Sequence, residues 1–133
     1  MLLPALSGAL RAQKNDASAA ARTATDQLIA KYQLDEQQAA DMYRVQERKQ
    51  LQMAEIEPLK AASPDQYRIR LKNVQKGALG SVKRILTTQA QQALFQKTQK
   101  EVRDKQAAQR KALAEKGASA ADIEAAMLAI YIE

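Results

Sequence analysis

The sequence predicts an all-α domain of four to five helices, arranged as long antiparallel helical hairpins in a thin curved bundle that a second copy completes as a dimer. Three observations predict it. Apolar residues recur at three- and four-residue spacing along most of the chain, with no strand-like alternation of useful length. Helix start and stop signals punctuate the chain at Asp35, Ser63-Pro64, Thr87 and Gly117. The apolar fraction is 46% of 133 residues, but much of it is Ala, with one Phe and no Trp. So few large side chains cannot fill a thick globule, and long helices in a thin layer follow.

The first helix is expected over Asp16 to Tyr32. Ala17, Ala21, Ala24, Leu28 and Tyr32 share one face, so little is buried before Leu28. Residues 1–12 precede it as an apolar stretch with a Pro/Gly break and small residues, followed by a polar start. That pattern reads as the remnant of an export signal, the alternative being a disordered N-terminus, with residues 13–133 as one helical domain. The stretch is too short to span a bilayer, which takes about 20 apolar residues.

Asp35 is expected to cap the second helix, whose stripe is Met42, Val45, Met53, Ile56 and Leu59 and whose end is set by Pro58. Ser63-Pro64-Asp65-Gln66 predicts a Ser cap, Pro at the first helical position and Gln66 reaching back. Tyr67, Leu71, Val74, Ala78, Val82 and Ile85 then form the seam of the third helix, interrupted by Gly77 and Gly80. Those two glycines suggest a bend or a close crossing. Thr87 is expected to cap a fourth helix running to about Lys116. Gly117 stops it, and Ser119-x-x-Asp122 starts a last helix carrying Ile123, Met127, Ile130 and Tyr131 as a docking face.

Two of these helix starts are copies of one pattern. Leu34 to Tyr43 reads LDEQQAADMY and Leu86 to Phe95 reads LTTQAQQALF. Each has Leu, a capping residue, a Gln-rich first turn, then an apolar and an aromatic residue. Leu34 and Leu86 act as staples, Asp35 and Thr87 as caps, and Gln38 as a first-turn amide that bonds across to a neighbouring segment. These are fold-setting roles. On these residues the chain resembles the Spy/CpxP family of small periplasmic helical proteins, which carry two L-T-x-x-Q segments. Asp35 replaces Thr in the first copy, and Ala90 stands where the second copy should have Gln.

The composition excludes much chemistry. There is no Cys and no His, which removes most zinc, haem and iron–sulfur sites and the common nucleophilic triads. No phosphate loop, dinucleotide fingerprint or calcium loop is present. The expectation is a non-enzyme with no cofactor. The net charge of +6 favours acidic or unfolded partners. The basic residues are spread over three helices without aromatic residues beside them, which argues against nucleic acid as partner. The resemblance implies ATP-independent chaperoning or stress sensing in the periplasm, by a homodimer that holds unfolded proteins on a basic and apolar surface. Arg44, Arg48, Arg68, Arg70, Lys72 and Arg103 are the candidate client contacts. The competing expectations are an adaptor bundle that docks one partner through Ile123, Met127, Ile130 and Tyr131, and a cytoplasmic nucleic-acid binder.

Overall fold

Among the described residues of the computed structural model six helices follow one another: α1 (Leu3–Tyr32), α2 (Glu36–Ile56), α3 (Leu59–Ala62), α4 (Pro64–Ile85), α5 (Gln89–Glu115) and α6 (Ala120–Ala129). The structure describes the backbone of residues 3–133 and the side chains from residue 8 onward, and there is no strand among the described residues. The all-helical expectation holds. α1 begins well before Asp16 and runs through most of the segment read as an export remnant; Met1 and Leu2 of that segment lie outside the described residues.

α1 packs along α2, α2 along α4, and α6 against both α4 and α5. The core sits where four helix ends meet. Leu28 and Tyr32 come from the end of α1, Met42 and Val45 from the first half of α2, Val82 from the end of α4, Leu86 from the turn after it, and Phe95 from the start of α5. Leu34, Leu79, Ile85 and Leu94 pack around them. Met42 and Val82 expose nothing and Leu86 only 2%. Each such side chain contributes about 1.5–3 kcal/mol by leaving water. Away from this cluster the side chains of α1 that are buried among the described residues are small, Ala17, Ala21 and Thr25. A stripe without bulk lets two helices lie close but adds little apolar area per turn.

The helix boundaries have local causes. At the end of α1, Gln33 takes a left-handed φ of 52° and the Leu34 amide donates back to the Ile29 carbonyl at 3.2 Å. Gly117 does the same after α5, with φ 77° and the Ala118 amide bonded to the Leu113 carbonyl at 3.0 Å. Both are helix stops closed by a six-residue backbone bond, and only the second uses the residue that reaches this conformation without strain. Ser119 caps α6 as expected, accepting from the Asp122 amide at 3.1 Å.

Four expectations are corrected. Ser63 precedes α4 with Pro64 at its first position, but its side chain makes no capping bond; its backbone (φ −153°, ψ 80°) lies outside the usual cap geometry. The cap of α5 is Thr88 and not Thr87. Gly77 and Gly80 mark no close crossing: a Cβ at Gly77 would meet nothing within 4 Å, and one at Gly80 only the Arg84 guanidinium at 3.8 Å. The last helix does not reach the end of the chain. α6 stops at Ala129, and Ile130 already has extended backbone (φ −92°, ψ 91°). No helix is long and apolar enough to cross a membrane among the described residues.

Candidate functional site

The two copied segments meet. Asp35 accepts from the Gln38 amide at 2.8 Å while Gln38 Oε1 accepts from the Asp35 amide at 3.0 Å, a complete capping box. Thr88 and Gln91 repeat it at the start of α5, where Thr88 Oγ1 accepts from the Gln91 amide at 3.1 Å and Gln91 Oε1 from the Thr88 amide at 3.2 Å. The two glutamine side chains then bond each other in both directions, at 2.8 and 3.0 Å. Gln38 Nε2 also donates to the Ile85 carbonyl at 2.9 Å, the last residue of α4, and Gln91 Nε2 to the Tyr32 carbonyl at 3.2 Å, the last residue of α1. Each glutamine thus starts its own helix and ties off the end of the other pair. Both are buried, and every polar atom of both amides has a partner.

This geometry corrects the register of the second copy. The spacing of cap and glutamine is Thr88 to Gln91, so Ala90 is not a lost glutamine. The second copy carries one more residue between Leu86 and the cap. Thr87 sits in that extra position, and its hydroxyl accepts weakly from Gln38 Nε2 at 3.3 Å. Leu34 packs on the core from the side, and Leu86 lies inside it.

The six basic residues expected to contact clients fall in separate places. Arg44 pairs with Asp41 at 3.3 Å on the solvent face of α2. Arg48 reaches across to α4 and donates to Ser81 Oγ at 2.8 Å; Arg84 donates to the same hydroxyl at 3.1 Å. Arg68 pairs with Asp65 in the first turn of α4. Arg70 and Arg103 are exposed. Lys72 borders an open groove of about 660 Å³ between α4, α5 and α6, with Arg110, Ile123, Met127 and Leu128. Exposed pairs such as Arg44–Asp41 and Lys100–Asp104 contribute little to stability, so these charges are available to solvent and to ligands.

The face expected to dock on a partner is folded inward. Met127 is buried, Ile123, Ile130 and Tyr131 are half-buried, and Gln75 of α4 and Gln106 of α5 donate to the Leu128 and Met127 carbonyls at 2.8 and 3.1 Å. Beyond α6 the segment Ile130–Glu133 leaves the helix, and its Tyr131, Ile132 and Glu133 form one wall of a cleft of about 310 Å³ whose other walls belong to α1 and α2. Its Glu133 carboxylate pairs with Lys49, accepts from Gln46 Nε2, and accepts from Tyr131 Oη at 2.6 Å. The Lys49 ammonium also lies 5.3 Å from the centre of the Tyr131 ring.

Burial shapes the ionisation of this cleft. Desolvation pushes the Tyr131 phenol far above its ordinary value, and the Glu133 charge adds to the shift. Desolvation also raises Tyr32, against an opposing contribution from Thr98; the Tyr32 hydroxyl has no partner within hydrogen-bond geometry. Lys31 is lowered by desolvation, which outweighs the opposing charges of Glu101 and Glu133. No group of His, Cys, Asp and Glu able to hold a metal ion is found among the described residues.

Gln91, Gln46, Lys31, Lys49, Arg84 and Glu133 are the residues that the sequence reading did not single out. Gln91 had a signal, the three-residue spacing from Thr88. Gln46 had a weaker one: Gln38, Met42 and Gln46 repeat at four-residue spacing, which puts both glutamines on the buried face of Met42. Glu133 had none, because its partners lie far away in the chain. No family model, curated protein or solved structure matches this chain.

Proposed function

We propose that this chain is an exported, ATP-independent holding protein of the Spy/CpxP type, which keeps partly unfolded proteins from aggregating. The observation that carries the reading is the interlocked Gln38–Gln91 junction. It gives the repeated segment one shared purpose, the joining of two helix–turn–helix units, as a family defined by two such segments would need. The surface chemistry agrees with it. Arg48 and Arg84 stand side by side over Ser81, Arg70 and Arg103 are exposed, and Ile69 exposes 54% of its surface beside Arg68 and Arg70. Long basic side chains next to apolar surface attract acidic unfolded chains at a distance and hold them loosely on contact. The net charge of +6 assists the encounter.

The test is light scattering from a heat- or reductant-denatured client, without nucleotide. Suppression at stoichiometric amounts, weakened by raised salt, is the expected result; unchanged scattering would reject the reading. Sedimentation of the purified chain tests the proposed homodimer, and cell fractionation tests export. A second reading, an adaptor that docks one partner, rests on the groove of about 660 Å³ between α4, α5 and α6, with Ile123 and Leu128 on its walls and Lys72 and Arg110 also lining it. Substituting Lys72 and Arg110 by Glu separates the two: loss of one defined complex with intact suppression supports the adaptor.

A further inference from the structure

The segment Ile130–Glu133 is held as a bound peptide is held. Its carbonyl oxygens are taken by side-chain donors on the helices: Gln106 to Ile130 at 3.4 Å, Gln99 to Ile132 at 2.8 Å and Lys31 to Glu133 at 2.6 Å. Donors fixed on helices that read main-chain carbonyls accept an extended chain whatever its side chains. The side chain that the cleft reads by its chemistry is Glu133. Its carboxylate, on a residue 8% exposed, meets Lys49 and Gln46 of α2.

Gln46 is the second, independent observation. It exposes nothing, and among the described residues its Nε2 has no oxygen partner besides that carboxylate. Without it this buried donor would lack an oxygen acceptor, at a cost of about 1–3 kcal/mol. At this position on α2, beside Met42, a leucine would pack without that cost. Between this donor and the Lys49 ammonium, a carboxylate is the group that meets both. The segment itself has few apolar anchors: Ile132 is 36% exposed, and the cleft beside it stays open.

We propose that the seat of Ile130–Glu133, formed by Lys31, Gln46, Lys49, Gln99 and Gln106 beside the open cleft, is a binding site for an extended polypeptide segment that carries an acidic side chain, and that Ile130–Glu133 fills it in cis as a displaceable stand-in. The proposal rests on the holding function and adds two things to it, the class of segment that is bound and an internal competitor that regulates the site. A tethered competitor acts at an effective concentration of order mM, so it masks the site from weak ligands and yields to strong or abundant ones. The carboxylate of the incoming segment takes the place of Glu133 between Lys49 and Gln46, and its carbonyls take the donors of Lys31, Gln99 and Gln106.

The experiment uses the full chain and a labelled peptide of residues 126–133, amidated at its C-terminus so that the glutamate side chain is its only anion. Fluorescence anisotropy should show binding about tenfold tighter to Glu133→Gln than to the parent chain, since the internal competitor is weakened. A peptide with Gln in place of its Glu should lose that gain, and so should Lys49→Gln added to Glu133→Gln. Equal affinity of parent and Glu133→Gln, or indifference to the peptide's glutamate, overturns the proposal. On the parent chain, excess peptide should speed amide hydrogen exchange of residues 130–133; unchanged exchange at saturating peptide also overturns it, and this readout needs no variant to fold. Aggregation assays on the same samples keep the two readings apart. Suppression by the parent without Glu133-dependent peptide binding rejects the cleft alone. Glu133-dependent binding without suppression rejects the holding function and keeps the cleft.

Discussion

Two buried glutamine sites in this molecule are built in opposite ways. At the junction of α1, α2, α4 and α5, Gln38 and Gln91 satisfy every polar atom they carry, and each bonds a cap within its own helix before it bonds the other. In the cleft under the terminal segment, Gln46 has no capping role and one free acceptor, and its only oxygen partner comes from Glu133. The first arrangement is closed and holds the fold together. In the second, the partner of Gln46 comes from a short non-helical segment. A fully paired buried amide network rigidifies what it joins, whereas a buried amide with an orphan oxygen adds less to the fold.

The largest effect that tests this contrast is expected at the junction. Replacing Gln91 by Ala removes one half of the amide pair, leaves Gln38 and the Tyr32 carbonyl short of a partner, and opens the cap of α5. Chemical denaturation should show a loss of about 2–4 kcal/mol. Gln46→Leu removes an amide that is only half paired, so its expected change is within about 1 kcal/mol of the parent. If the two substitutions cost the same, the contrast is wrong.

Next in size is the response to alkali, to which the cleft contributes through Tyr131 and Lys31 and the core through Tyr32. Tyr131 and Tyr32 are raised above the ordinary phenol value of 10.0, so their contribution is intact below pH 10 and is lost as pH climbs beyond it. Lys31 is lowered from 10.5, so over the window below that value it acts the other way, and its burial costs less as it loses charge. The terminal segment should therefore detach above pH 10, seen as faster exchange at residues 130–133. Tyr131→Phe, which cannot ionise, should shift that detachment to higher pH; an unchanged midpoint would remove Tyr131 from the latch.

A smaller effect sharpens the register of the second capping segment. Thr88→Ala should cost about 1 kcal/mol, as loss of a side-chain cap does, and Thr87→Ala less than about 0.5 kcal/mol. The reverse order would restore Thr87 as the cap. Smallest of all, Ser63→Ala should leave the thermal midpoint within the error of measurement, because Ser63 makes no capping bond in front of α4.

Much of the fold was legible in the residues. Asp35, Gly117 and Ser119 mark their helix boundaries through bonds to neighbours three to five positions away, and such signals sit in adjacent letters of the sequence. The apolar seam of α4 and the stripe of α2 follow from helical periodicity. Thr87 and Thr88 were harder to tell apart, because two threonines in a row both look like caps, and only the reach of Gln91 selects between them. Ser63 failed for a related reason. The letters Ser-Pro-Asp-Gln fit a capping box, but Ser63 has a ψ of 80°, outside the usual cap geometry, and its side chain makes no bond to the first amides.

The site was less legible than the fold. The basic residues Arg44, Arg48, Arg68, Arg70, Lys72 and Arg103 were visible as charges, but which of them are neutralised by neighbours depends on how the helices turn. The final residues read as helix because Ile123, Met127, Ile130 and Tyr131 have helical spacing. They leave the helix at Ala129 because Gln99, Gln106 and Lys31 offer donors to an extended backbone, and those donors sit on other helices.

By itself, then, the sequence determined an all-helical chain, its main boundaries and a surplus of positive charge, since periodicity, caps and composition act over a few residues or over the whole chain at once. Only the tertiary structure decided that Gln38 finds Gln91 and that Glu133 finds Lys49 and Gln46. Those pairings join residues far apart in sequence, and their strength comes from desolvation that exists only once the helices have closed around them.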